Sequence, residues 1–156
     1  MTELLLHRQT ERLTGWLARY SIHFLRISLG AVFLAFGVFK FFPGSSPAQE
    51  LVVRTFDRLT LGLVPGNAAL LITAVAECFI GITLITGRFL RTGLLVLAVS
   101  LVGIMSPLVL FFGDMFAGDG PTLVAQYVFK DIVLASAGLV VAARAMGARL
   151  IAKPGQ

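Results

Sequence analysis

Four stretches of the chain are almost wholly apolar: residues 21–42, 68–86, 90–113 and 123–143. Each is close to the roughly 20 residues a helix needs to cross a hydrocarbon core about 30 Å thick. The pattern predicts four membrane-spanning helices. Ahead of the first, residues 1–20 change character with a helical period. Leu5, Leu6, Leu13, Trp16 and Leu17 are apolar; Arg8, Gln9, Arg12 and Arg19 are polar. Trp16 and Tyr20 are residue types that favour the headgroup level. This segment reads as an amphipathic helix lying on the membrane surface.

The breaks between spans carry their own signals. Phe42-Pro43-Gly44 stops the first span. In the long connection that follows, Ser46 is placed to cap a short helix, with Pro47 at its first position and Glu50 close behind. Leu51, Val52, Thr55, Phe56 and Leu59 then recur at helical spacing, so a second interfacial helix is expected. Pro65-Gly66-Asn67 turns the chain back into the membrane. The next connection, Gly87-Arg88-Phe89-Leu90-Arg91, is too short for anything but antiparallel neighbours. Pro107 should kink the third span and free backbone carbonyls. The last connection, residues 113–121, carries Asp114 and Asp119, and residues 144–156 form a tail. The expected fold is all-α: an integral membrane four-helix bundle, up-down-up-down, forming a single membrane domain over residues 1–156.

Composition agrees with lipid as the solvent. Hydrophobic residues make up 57% of the chain and charged residues 13%, against about 25% charged in a typical soluble domain. Mean hydropathy is +0.90. A net charge of +5 could suggest nucleic acid, but the basic residues are scattered through flanks and loops without an aromatic-interleaved patch. No nucleic-acid partner is expected, and the bilayer is the first partner. Basic residues orient the chain. Arg8, Arg12, Arg19, Arg88, Arg91, Arg144, Arg149 and Lys153 lie on one side, and Arg54 and Arg58 on the other. The positive-inside rule then places both termini in the cytoplasm. The N-terminus lacks an apolar core followed by a small-residue cleavage site, so the first span is expected to target the chain. Cys78 is the only cysteine, which excludes an internal disulfide or a C-x-x-C pair.

Five charges interrupt the apolar stretches: Arg26, Lys40, Glu77, Lys130 and Asp131. Each costs about 2.5–3.5 kcal/mol at a helix centre on insertion scales, so they should face one another or water. Arg26, Gly30, Phe33, Gly37 and Lys40 are spaced 4, 3, 4 and 3 residues apart and form one stripe of a helix. Its two glycines allow a second helix to approach closely. Arg26 and Lys40 are about 21 Å apart along that helix and cannot share one small partner. Glu77 lies near the middle of span two. On span four, Gln126 stacks under Lys130 and Tyr127 under Asp131, each at i, i+4. The best assignment pairs Glu77 with Lys130 or Arg26, and Asp131 with Lys40 or Arg26. Either these pairs fix helix register, or they line a polar pocket for an anionic or quinone-like ligand or a proton path. Three cations against two anions favour an anion or a polarised carbonyl as that ligand. His7 and His23 make a poor metal or haem site, and no metal is expected. Cys78 beside Glu77 reads as a small hydrophobe, and Ser100, Gly103 and Ser106 as packing residues. No nucleotide-binding loop, nucleophile elbow or zinc-protease motif is present.

In order and placement, Arg26-Ile27-Ser28-Leu29-Gly30, Gly37-Val38-Phe39-Lys40-Phe41, Glu77-Cys78-Phe79-Ile80-Gly81 with Gly87, Ser106-Pro107-Leu108 and Gln126-Tyr127-Val128-Phe129-Lys130-Asp131 form one set. That set resembles the DoxX-like family of small four-helix inner-membrane proteins, over about Tyr20 to Ala143. It is also similar to a related group linked to reactive-chlorine stress. The resemblance implies the inner (plasma) membrane and a role near respiratory or redox chemistry. Some such proteins are subunits of a thiosulfate:quinone oxidoreductase, and others associate with oxidative-stress enzymes. It implies a membrane or redox protein partner and quinone as the cofactor to consider. It also places any ligand site at Arg26, Lys40, Glu77 and Lys130. One cysteine, no evident cofactor motif and no large soluble domain argue against intrinsic catalysis. The expected role is that of an accessory subunit, with a small transporter or channel and a structural scaffold as alternatives.

Overall fold

The helix α3 (Gly66–Thr86) packs against α1 (Thr2–Phe39), α2 (Gln49–Thr60) and α4 (Leu90–Met105). The computed structural model describes residues 2–42, 44–46, 48–117 and 120–151, with side chains from residue 9 onward. Pro43, Pro47, Asp119, Lys153 and the side chains of Leu5, Leu6, His7 and Arg8 lie outside the described residues. The remaining helices are α5 (Pro107–Leu110), α6 (Phe112–Met115) and α7 (Leu123–Ala145). α1 packs on α3 and α7, and α4 packs on the same two helices, which closes a four-helix ring. Four helical stretches are long and apolar enough to cross a membrane: Gln9–Phe39, Gly66–Thr86, Leu90–Leu110 and Leu123–Ala145. Their outer faces expose Leu71, Ile82, Leu95, Val102 and Leu139, the surface expected where lipid replaces water.

The α1–α3 seam is set by glycine. A Cβ on Gly81 would fall 2.6 Å from Leu34 Cβ and 2.8 Å from the Gly30 carbonyl oxygen. One on Gly37 would fall 2.8 Å from the Cys78 amide nitrogen. Backbones therefore touch directly, as small residues permit in membranes. Gly30 lies against Leu84 and Ile85, and Gly37 against Glu77 and Cys78, so the two helices run antiparallel. Two apolar clusters fill the ring. Leu29, Phe33, Ile80, Leu84, Leu97 and Val141 form one near the α3–α4 turn. Met115, Ala125 and Val128, with Leu51, Leu108 and Phe116, form the other at the opposite end. Early α7 thus meets the residues after α4, and late α7 meets α4 itself, which completes the up-down-up-down course.

Two expectations change. The surface helix and the first span are one continuous helix of 38 residues. No proline interrupts it near Tyr20, and Gly15 alone does not break the hydrogen-bond ladder. Arg26 sits beside Gly87 at the α3–α4 turn, so α1 before Arg26 runs past the rest of the bundle for about 35 Å. It carries Leu13, Trp16, Leu17, Tyr20 and Phe24 exposed. The helix in the first connection is present, but Ser46 does not cap it. α2 starts at Gln49 with Ala48 at the cap and no side-chain cap bond, and Gln49 Oε1 accepts instead from the Gly44 amide.

Pro107 interrupts the hydrogen-bond ladder of the third span and frees a carbonyl, as expected, while Ser106 keeps a right-handed helical backbone (φ −56°, ψ −32°) and the helix resumes as α5. Lacking an N–H, Pro107 leaves the Gly103 carbonyl without its usual partner. Ser106 supplies it: the hydroxyl donates to Gly103 O at 2.7 Å and the amide at 3.3 Å. Ser106 therefore does more than pack. Ser106→Ala is expected to destabilise the folded protein by about 1–2 kcal/mol, seen as a lower thermal midpoint in detergent. An unchanged midpoint would mean that the carbonyl finds another donor.

Candidate functional site

Lys40 follows the last turn of α1, one turn beyond Gly37. Because Gly37 lies on the Glu77–Cys78 backbone, the Lys40 side chain starts within reach of the Glu77 carboxylate. Lys40 Nζ donates to Glu77 Oε2 at 2.6 Å, with the two side chains only 3% and 7% exposed. The ammonium also lies 5.9 Å from the Phe36 ring centroid. Asp131 on α7 is partly buried and within electrostatic range of both Lys40 and Glu77. The three groups sit between the two apolar clusters, contributed by α1, α3 and α7.

Other candidates lie elsewhere. Lys130 is exposed, with Nζ 4.9 Å from the Tyr127 ring centroid, and Tyr127 is itself 52% exposed. Gln126 is exposed and donates from Nε2 to the Pro121 carbonyl at 3.3 Å. Arg26 stands at the α3–α4 turn. The assignment of Glu77 to Lys130 or Arg26 is therefore corrected: its partner is Lys40. Asp131 is within electrostatic range of Lys40, but no ion pair of Asp131 with either expected partner, Lys40 or Arg26, is seen among the described residues. The reason is depth. α1 ends about halfway along α3, so Lys40 meets the middle of that helix instead of its outer boundary. The charge balance changes with the pairing. One cation now faces two carboxylates, so the surplus positive charge expected from the sequence is absent from the cluster, and with it the argument for an anion there.

Two features had no reading in the sequence. Phe36 shares the Lys40 site, and its i, i+4 spacing to Lys40 is the signal that could have found it. Arg54 on α2 pairs with Asp114 on α6 at 2.6 Å and lies 4.7 Å from the Phe111 ring centroid. These residues come from separate connections, which no helical period relates, so nothing in the sequence marks that pair. Among the described residues, no three His, Cys, Asp or Glu side chains converge as metal ligands.

Chemically, the cluster is a hydrogen-bonding station in an apolar medium. An ammonium has three donors, and Glu77 Oε2 occupies one of them. Asp131 adds a second carboxylate at a partly open position. Such a set suits a polar head with both carbonyl and hydroxyl character better than a free anion.

The sequence model of the DoxX family matches residues 21–114. The match takes in Lys40 and Glu77 and stops before α7, so the segment from Gln126 to Asp131 lies outside it. No curated protein and no solved structure matches the chain. With four helices of membrane-spanning length and a family match over more than half of its residues, the chain is a multi-pass membrane protein that belongs to the DoxX family.

Proposed function

We propose that this protein is a non-catalytic accessory subunit in a quinone-linked redox or oxidative-stress system of the inner membrane. The Lys40–Glu77–Asp131 cluster would hold the polar head of a quinone. One observation carries the reading. A buried ion pair and a further carboxylate lie within a largely apolar bundle, and two of the three cluster residues, Lys40 and Glu77, lie within the family match. In this reading a Lys40 N–H donates to a quinone carbonyl, Asp131 accepts from a quinol hydroxyl, and Glu77 orients Lys40. The cytoplasmic placement of both termini belongs to the same proposal. Arg88, Arg91 and Arg144 lie at one end of the bundle with the N-terminal part of α1, the distribution that the positive-inside rule expects.

The test uses Asp131, which is partly exposed and not part of the tight pair, so Asp131→Asn should leave the bundle folded. Wild-type protein in nanodiscs is expected to bind a short-chain ubiquinol analogue, and Asp131→Asn to bind it roughly tenfold more weakly, one hydrogen bond to a charged group being lost. No binding by wild type, or equal binding by both, would reject the quinone site. A second reading, a purely architectural pair that fixes α1 against α3, is favoured by the tight fit of Lys40 to Glu77 at 2.6 Å.

A further inference from the structure

Lys130 occupies a costly position. It lies about 10 Å inside the N-terminal end of α7, a helix long and apolar enough to span the membrane. Yet it is exposed. An ammonium there faces acyl chains, whereas intramembrane charges are almost always paired or turned inward. The Tyr127 ring, 4.9 Å from Nζ, offsets part of that cost. It supplies no anion, and among the described residues no carboxylate pairs with Lys130. The next residue has the opposite deficit. Asp131 has no ion pair among those residues, because the Lys40 ammonium is held by Glu77. One chain therefore carries an unpaired cation and an unpaired carboxylate at one depth. They do not satisfy each other. Successive residues stand about 100° apart on a helix and do not face, and Lys130 turns to Tyr127 instead.

That pair of deficits is self-complementary. Two copies inserted in the same direction are related by a two-fold axis along the membrane normal. Residue 130 of one copy then lies level with residue 131 of the other, to within a rise of about 1.5 Å. We propose that the protein forms a two-fold dimer through α7, in which Lys130 of each copy pairs with Asp131 of the other. Tyr127 precedes the two residues by three and four positions, so it stands on the side of α7 between them, and it is 52% exposed. It packs at the same contact. The pairing brings a second cation to the Lys40–Glu77–Asp131 cluster, which then sets two ammoniums against two carboxylates. In lipid, polar groups shared between helices hold them together where apolar side chains gain little over acyl chains. A carboxylate has acceptor positions for Lys130 of the second copy and for a ligand hydroxyl at once, so the dimer does not depend on a quinone.

The test is Förster transfer between full-length copies fused at the C-terminus to monomeric donor or acceptor fluorescent proteins, reconstituted in liposomes and diluted with lipid. Wild type is expected to associate. Lys130→Met and Asp131→Asn should each weaken self-association roughly ten- to hundredfold, because either change removes both symmetry-related pairs. Mixing the two variants restores one pair, between Lys130 of the Asp131→Asn copy and Asp131 of the Lys130→Met copy. The mixture should therefore associate more tightly than either variant with itself, a rescue that a purely apolar contact would not show. Monomeric wild type, with Lys130 reaching the lipid headgroups instead, overturns the proposal. So does a mixture that associates no more tightly than its components. Should Asp131→Asn fail to fold, Lys130 decides alone. Lys130→Arg keeps a donor for the carboxylate and should associate like wild type, whereas Lys130→Met should not; equal association by those two overturns the pairing.

Discussion

Gly81→Val is expected to abolish the folded bundle. The new Cβ would meet Leu34 Cβ at 2.6 Å, Leu34 N at 2.7 Å and Gly30 O at 2.8 Å. Two of those atoms are backbone and cannot rotate aside. α1 and α3 would have to separate along the whole seam, including the contact of Gly37 with Cys78, and the Lys40–Glu77 bond would stretch. Ordinary overpacking of a core costs about 1–3 kcal/mol, and a backbone-to-backbone clash belongs above that range. Size-exclusion profiles after detergent extraction should show little monodisperse protein. Gly103→Ala is the control. Nothing lies within 4 Å of a Cβ there, and alanine favours a helix over glycine by up to about 1 kcal/mol. That variant should match or exceed wild type. A wild-type profile for Gly81→Val would mean that the helices are not in contact at this level.

That seam was legible in the sequence. The spacing from Arg26 through Gly30, Phe33 and Gly37 to Lys40 marks one face, and its glycines mark a close approach. The inward arc of α7 was only partly legible: the sequence assigns Lys130, Gln126 and Tyr127 to the site, and all three are exposed. Ala125, Val128, Gly138 and Val141 are buried, and Asp131 falls on their side of the helix while Lys130 is about 100° away. The relative depth of the helices was not legible. Taking each span as a full crossing puts Lys40 at a boundary and Glu77 at mid-depth. In the structure α1 stops early, α2 packs beside α3, and Lys40 reaches Glu77. That offset is fixed by the fit of Gly37 on Cys78, a contact between residues far apart in sequence that no periodicity encodes. The continuity of α1 was hidden for a related reason. Amphipathic spacing reports which face is apolar, and it carries no information on whether the axis turns.

The charge cluster predicts an asymmetry between its two ends. Lys40→Leu leaves Glu77 and Asp131 as neighbouring carboxylates with no cation, whereas Glu77→Leu leaves the Lys40 ammonium with Asp131 still in range. Breaking a buried pair costs about 3–5 kcal/mol. Lys40→Leu should reach that range and Glu77→Leu should fall below it. The double variant Lys40→Leu/Glu77→Leu removes both charges and fills the space with apolar groups, which is often neutral or stabilising. Its denaturation midpoint should return to near wild type, giving a strong coupling term in the double-mutant cycle. Adding Asp131→Asn to Lys40→Leu should recover part of the loss, because it removes one of the two repelling carboxylates. Additive single effects would show that the pair does not form in the folded protein. The same double variant separates architecture from function. If it is stable and still binds the quinol analogue, the charges serve only to set register. If it is stable and binding is lost, the ion pair is kept for the ligand, since an apolar pair holds the helices equally well.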